Sequence, residues 1–311
     1  MTIMNNKELK SSVLLLLASI IWGFAFIAQR VGIKYVGSFT FNGIRFALGA
    51  VSLIPLLLFT NHRAKKVNSK NSRDKGIKLY EEIRAGVIIG SMLFGGITLQ
   101  QLGLVETTAG KAAFITGFYL ILVPLFGVFF RQKLNRSTWA AGVVSFAGLY
   151  LISITRDFSI ARGDLLVFFG AFFWAGHILL IDRFTRKFDA LKLSIMQYTF
   201  CSLLSLILAA AFEDINLNGI VQASVPILYG GIASVGIAYT LQIYGQKHAR
   251  PSHAAIILSL ESVFAALGEF IILGETMSLR AYTGCILMFA GVLMSQLGSI
   301  NSYREKTAKS L

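Results

Sequence analysis

Apolar positions along this chain gather into ten long runs separated by short polar stretches. The runs cover roughly 11–31, 38–59, 83–104, 110–130, 137–154, 163–181, 191–212, 223–246, 252–273 and 280–298. The run Ser252–Leu273 shows the logic: 22 residues, almost wholly apolar. At about 1.5 Å of rise per residue such a helix spans the ~30 Å hydrocarbon core of a bilayer. Only a helix or a closed barrel satisfies its own backbone at that depth. Barrel strands are about ten residues long with strict alternation, and these runs show neither feature. The pattern predicts an all-α integral membrane protein with ten transmembrane helices.

The runs also repeat. At a shift of 142, Thr98-Leu99-Gln100 and Gly103 fall on Thr240-Leu241-Gln242 and Gly245, and Ala112-Ala113 and Ile115 fall on Ala254-Ala255 and Ile257. Phe146-Ala147-Gly148 matches Phe289-Ala290-Gly291 at a shift of 143, and Trp22 pairs with Trp174 and Arg45 with Gln197 at 152. The chain therefore reads as a duplicated unit. Five spans per half is an odd number, so the second half enters the membrane in the opposite sense to the first. Two inverted five-helix repeats enclosing a central site are a recurring plan for secondary transporters.

Charge orients this plan. With the N-terminus in the cytoplasm, inside segments hold 22 Lys and Arg and outside segments hold 6, with Arg45 inside a span. That bias predicts both termini on the cytoplasmic side. The net charge of +14 is then mostly a topology signal, and the basic Asn61–Glu82 loop is expected against anionic headgroups; no nucleic-acid partner is expected. Composition agrees: 55% of residues are hydrophobic and 14% charged, where soluble domains carry about 25% charged. The run from Ser11 to Ala28 is too long for a signal-peptide core and is read as a retained first span. Cys201 and Cys285 both lie inside apolar runs, so neither a structural disulfide nor a zinc site is expected.

The paired halves, the run Ser259-Leu260-Glu261-Ser262-Val263-Phe264-Ala265-Ala266-Leu267, the pair Gly274-Glu275, the segment Phe289-Ala290-Gly291-Val292 and the pair Arg45-Phe46 resemble the EamA family of the drug/metabolite transporter superfamily. The resemblance covers about 12–153, a first EamA-like five-helix repeat, and 163–297, the second. It implies a ten-helix inner-membrane carrier, commonly an exporter of amino acids or other small metabolites. This chain departs from the family in having Ser262 after Glu261 where proline is common, and Lys133 where the first copy often has glutamate. Glu269 is not part of the resemblance.

Ionisable groups at membrane depth are costly and mark candidates for function. Glu261 sits near the middle of its run, a depth that suits a substrate amine or a proton relay; the other reading is a buried helix–helix hydrogen bond. Glu269 lies about 12 Å further outward by helix rise, where a solvated vestibule residue is the competing reading. Arg45 falls between the two in depth, which puts an Arg–Glu pair within geometric reach, as a gate or as charge compensation, and Asn42, one turn away, within reach of the same network. Gln100 and its duplicate Gln242 suit polar substrate groups or interhelical hydrogen bonds. Trp22, Trp174, Tyr119 and Tyr239 either line an aromatic site or pack, and Tyr119 is the repeat partner of Glu261. His177 reads as a satisfied hydrogen bonder.

No G-x-x-x-x-G-K-[ST] loop, metal-ligand spacing or G-x-S-x-G elbow is present. The expectation is a non-enzyme without cofactor or metal: a secondary-active transporter exporting small metabolites across the cytoplasmic membrane by alternating access. Its partners would be a small-molecule substrate, the lipid bilayer and, as coupling ion, protons; a homodimer is left open. The alternatives are an integral-membrane transferase, or a metabolite importer or antiporter of the same fold.

Overall fold

The computed structural model describes residues 6–64, 72–129, 136–153, 161–274 and 278–308. Lys133, Glu275 and part of the basic 61–82 loop lie outside them. Among the described residues the chain is helical throughout, with no strands. The helices are α1 (Asn6–Gly32), α2 (Ser38–Ser52), α3 (Ile54–Ala64), α4 (Ser72–Gly103), α5 (Ala109–Thr116), α6 (Tyr119–Phe129), α7 (Arg136–Ser153), α8 (Arg162–Thr185), α9 (Ala190–Phe212), α10 (Leu217–Gln222), α11 (Ser224–Leu228), a π-helical segment (Tyr229–Tyr239), α12 (Thr240–Gln246), α13 (Pro251–Leu258), α14 (Glu261–Leu273) and α15 (Leu279–Ala308).

Among the described residues, each of the ten apolar runs is helical over most of its length. Eight helical stretches among the described residues are long and apolar enough to cross a membrane: Lys7–Gly32, Ser38–Thr60, Leu79–Gly103, Ala109–Val128, Arg162–Thr185, Ala190–Phe212, Ser224–Gln246 and Pro251–Ile272. The protein is thus a multi-pass membrane protein. The runs in α7 and α15 do not reach that length and hydropathy; the apolar part of α15 is Leu279–Ser295. Those two helices pack on each other along their length. The duplicated Phe-Ala-Gly segments make the contact: a Cβ on Gly148 would stand 2.5 Å from the carbonyl oxygen of Gly284, and one on Gly291 would meet Ser145 Oγ and stand 2.9 Å from the carbonyl of Ala141. Only a missing side chain lets the two backbones approach this closely.

Two spans are broken at equivalent places. α5 ends at Thr116 and α6 begins at Tyr119; α13 ends at Leu258 and α14 begins at Glu261. Gly117-Phe118 and Ser259-Leu260, the residues of the breaks, are related by the shift of 142. Both breaks tighten into three-residue turns: Phe118 N–H donates to Ile115 O (3.1 Å) and Leu260 N–H to Ile257 O (3.2 Å). The two broken spans cross, with α14 packed on α5 and α13 on α6, and Ser262 Oγ donates to Ala113 O across them (2.9 Å). Beside them, Tyr229–Tyr239 winds as a π-helix, a wider coil whose glycines let α2 come close: a Cβ on Gly231 would stand 3.1 Å from Arg45 O. α14 stops where Gly274 takes the left-handed conformation (φ 69°) and returns its N–H to Glu269 O.

Candidate functional site

A cavity of about 450 Å³ lies where these elements converge, lined by Trp22, Ala25, Phe26, Gln29, Arg45, Ile97, Gln100, Thr116, Tyr119, Trp174, Ile178, Ser234, Tyr239, Gln242, Leu258 and Glu261. It is narrow: about 30 Å³ is open to the centres of water-sized molecules, room for about two waters at ~10–15 Å³ each. Twelve of the sixteen lining residues form six repeat-equivalent pairs: Trp22 with Trp174, Phe26 with Ile178, Ile97 with Tyr239, Gln100 with Gln242, Thr116 with Leu258 and Tyr119 with Glu261. Of the ten candidates from sequence, Trp22, Arg45, Gln100, Tyr119, Trp174, Tyr239, Gln242 and Glu261 line this one space, and Asn42 and Glu269 do not.

The two residues just after the helix breaks meet. Tyr119 hydroxyl donates to Glu261 Oε1 at 3.1 Å, and both side chains are buried. Each begins the second half of its broken span, Tyr119 in α6 and Glu261 in α14.

A cation also lines the cavity. Arg45 is 1% exposed. Its Nε donates to Asn42 Oδ1 at 3.0 Å and its Nη2 to Gln29 Oε1 at 3.3 Å, and the guanidinium lies 5.3 and 5.2 Å from the ring centroids of Phe41 and Phe46. The Arg–Glu pair that the depths allow is not formed: among the described residues no carboxylate lies within ion-pair distance of Arg45. Neutral amide oxygens and two aromatic faces take the place of a carboxylate.

From Gln29 the network continues. Gln100 Nε2 donates to Gln29 Oε1 (3.4 Å), while Gln100 Oε1 accepts from Trp174 Nε1 (3.1 Å) and Thr116 Oγ1 (3.4 Å). Its duplicate differs: Gln242 is 2% exposed and its Oε1 has no partner. The aromatic wall is continuous, with ring centroids 4.5 Å apart for Trp22 and Tyr239 and 6.1 Å for the stacked Trp174 and Tyr239. Trp22 Nε1 donates to Ser234 O at 3.3 Å, a carbonyl of the π-helical segment. His177 is only half satisfied: its Nε2 lies 2.9 Å from Gln197 Oε1, while its Nδ1 is buried without a partner.

Glu269 corrects the vestibule reading. It is buried, its Oε1 accepts from Gly110 N–H at 2.9 Å, and Arg30 Nη1 lies 3.8 Å away. The carboxylate thus caps the N-terminus of α5, where the orphaned N–H groups and the helix dipole favour negative charge. Glu213 does the same for α2, accepting from Phe39 and Thr40 N–H at 2.8 Å each.

Gln29, Thr116 and Ser234 escaped the sequence reading. Their repeat mates are Ile181, Leu258 and Met92, so a search for duplicated polar residues passes over them. The usable signal was Arg45 itself, since a buried guanidinium demands acceptors and Gln29 is an amide at similar depth in the neighbouring span.

The model of the EamA-like transporter family matches residues 9–154 and again 161–297. This chain belongs to the EamA-like transporter family. The EamA match agrees with whole-length relatives. An uncharacterized transporter of Archaeoglobus fulgidus is 28% identical over 299 residues, covering 94% of this chain and 87% of its own. The uncharacterized transporter YoaV of Bacillus subtilis is 22% identical over 283 residues, covering 89% of this chain and 93% of its own. A solved chain described as a crystal structure of protein superposes with a TM-score of 0.73 at 18% identity, covering 92% of this chain and 96% of that one; the likeness is one of fold. The chain is therefore a multi-pass membrane transporter of EamA type.

Proposed function

We propose that this EamA-family chain is a secondary-active exporter of small metabolites such as amino acids, working by alternating access across the cytoplasmic membrane. In this reading its ten helical runs are ten spans in two inverted five-helix repeats, with both termini in the cytoplasm. The observation that carries the reading is the cavity walled by six repeat-equivalent pairs, with the pair Tyr119 and Glu261 hydrogen-bonded to each other. Residues that meet their own duplicates stand close to an axis relating the halves. An exchange of conformation between such halves opens the same site to the other side.

The substrate class follows from the two poles. Arg45 offers a guanidinium to a carboxylate, Glu261 offers a carboxylate to an ammonium, and Trp22, Trp174 and Tyr239 wall the space between them. A zwitterion satisfies both poles at once, which repays part of the cost of holding two charges out of water. The narrowness of the cavity fits a closed arrangement in which a substrate enters only as side chains part. Glu261 is also the group best placed to carry a proton, since it is buried and, among the described residues, no cation pairs with it.

The test is an efflux screen. Cells expressing the wild type or Glu261→Gln at matched membrane levels are loaded with a mixed amino-acid and metabolite pool, and the medium is followed by mass spectrometry. The expected result is a zwitterionic compound that accumulates outside with the wild type alone. Equal export by both proteins removes Glu261 from the mechanism, and uptake in place of release makes the chain an importer.

A further inference from the structure

A second cavity lies away from the central one, between α6, α7 and α13. It holds about 520 Å³, with about 140 Å³ open to the centres of water-sized groups, several times the room of the central cavity. Its walls are almost wholly apolar, Pro124, Phe146 and Ile256 among them, and its mouth faces outward at Trp139 and Val143, which are 42% and 65% exposed. In a membrane protein that outer face meets lipid. Water does not settle in an apolar cavity that lacks polar partners, whereas hydrocarbon enters it at no such cost.

The polar groups of the cavity are gathered at one end. Thr138 and Ser252 stand in the first turns of α7 and α13, and the buried Ser252 Oγ has no hydrogen-bond partner. Two residues before each comes an exposed arginine, Arg136 and Arg250. The groove is thus greasy along its length, offers an unused hydroxyl near its end, and is basic beyond that. A glycerophospholipid has this order of parts: acyl chain, ester carbonyl, phosphate.

We propose that this groove binds one acyl chain of an anionic phospholipid, with Ser252 hydroxyl donating to the ester carbonyl and the phosphate held at the Arg136 and Arg250 end. Basic residues near a headgroup favour anionic lipid by about a factor of five each. The groove shares none of its lining residues with the central cavity.

Gly142 makes the site testable, because a Cβ built on it meets nothing within 4 Å: Gly142→Leu places a side chain in the groove. The full chain is reconstituted in phosphatidylcholine nanodiscs carrying small fractions of phosphatidylglycerol or phosphatidylcholine brominated on the acyl chain, and quenching of tryptophan fluorescence is read. Trp139 lies at the mouth, so the wild type should show saturable quenching at roughly 10- to 30-fold lower mole fraction of the anionic lipid than of the zwitterionic one. Gly142→Leu should leave only the linear quenching expected of bulk lipid, and Gly142→Ala should shift saturation to higher mole fraction if the larger variant does not fold. Arg136→Gln with Arg250→Gln should keep saturable quenching and make the two lipids equal. Identical curves for the wild type and the folded Gly142 variants, or equal response to both lipids in the wild type, overturn the proposal. So does a change of oligomeric state on filling the groove, which would make the occupant a second copy of the chain.

Discussion

Gln100 and Gln242 occupy the same place in the two repeats and face one cavity, yet identical substitutions should affect their stability unequally. Gln100→Leu removes three hydrogen bonds, from Trp174, from Thr116 and to Gln29. Interhelical hydrogen bonds in membrane proteins are worth about 0.6–1.7 kcal/mol each, so the three amount to about 2–5 kcal/mol. Leucine fills the volume of the amide, and no cavity penalty is added. Gln242→Leu takes away an amide whose oxygen is buried without a partner, and an apolar side chain there costs nothing in lost acceptor bonds; its stability should stay within about 1 kcal/mol of wild type or rise. Thermal unfolding in detergent can be followed by labelling of the Cys201 thiol, which is 0% exposed in the folded protein. Gln100→Leu should unfold about 5–15 °C lower, and Gln242→Leu close to wild type. Flux in proteoliposomes should fall for both, because both amides face the proposed substrate. Equal losses of stability, or an unchanged transition for Gln100→Leu, would refute the network. Full flux in Gln242→Leu would take that amide out of the substrate path.

Other predictions separate structural from functional groups. Glu269→Gln weakens the cap on α5 and should lower stability by about 1–2 kcal/mol while leaving flux at saturating substrate unchanged, measured by unfolding and transport on one preparation. Glu261→Gln keeps an acceptor for Tyr119 and removes a buried charge, so it should fold as well as wild type; its residual flux should be flat with pH wherever wild-type flux varies, and a pH profile of wild-type shape would count against a proton on Glu261. Arg45→Met should stop export of an amino acid more strongly than export of the matching amine lacking the carboxylate, read by paired flux assays, and equal inhibition of both would place Arg45 outside substrate recognition. Gly148→Leu sets a side chain where a Cβ alone would stand 2.5 Å from Gly284 O, so the α7–α15 packing should part; the check is the yield of monodisperse protein, which should fall for Gly148→Leu and for Gly291→Leu but not for Gly142→Leu.

What the amino-acid sequence determined alone is whatever hydropathy and internal register can state. Apolar length marks every helical run, because a segment that cannot find water must satisfy its backbone locally. The shifts of 142 and 152 bring out Trp22 with Trp174, Gln100 with Gln242 and Tyr119 with Glu261, and each of these pairs lines the cavity. Tertiary structure decided the partners. Gln29, Thr116 and Ser234 have apolar repeat mates and join the site only through the packing of α1, α5 and the π-helical segment around it. Arg45 took amide oxygens and aromatic faces instead of a carboxylate, and Glu269, on the same helix as Glu261, went to the end of α5. Depth along a helix is a one-dimensional quantity that the chain carries openly, so the level of each charged group could be read. The azimuth at which one helix meets another is fixed by side chains from distant segments interlocking, and that is where a buried carboxylate becomes either a cap or a site.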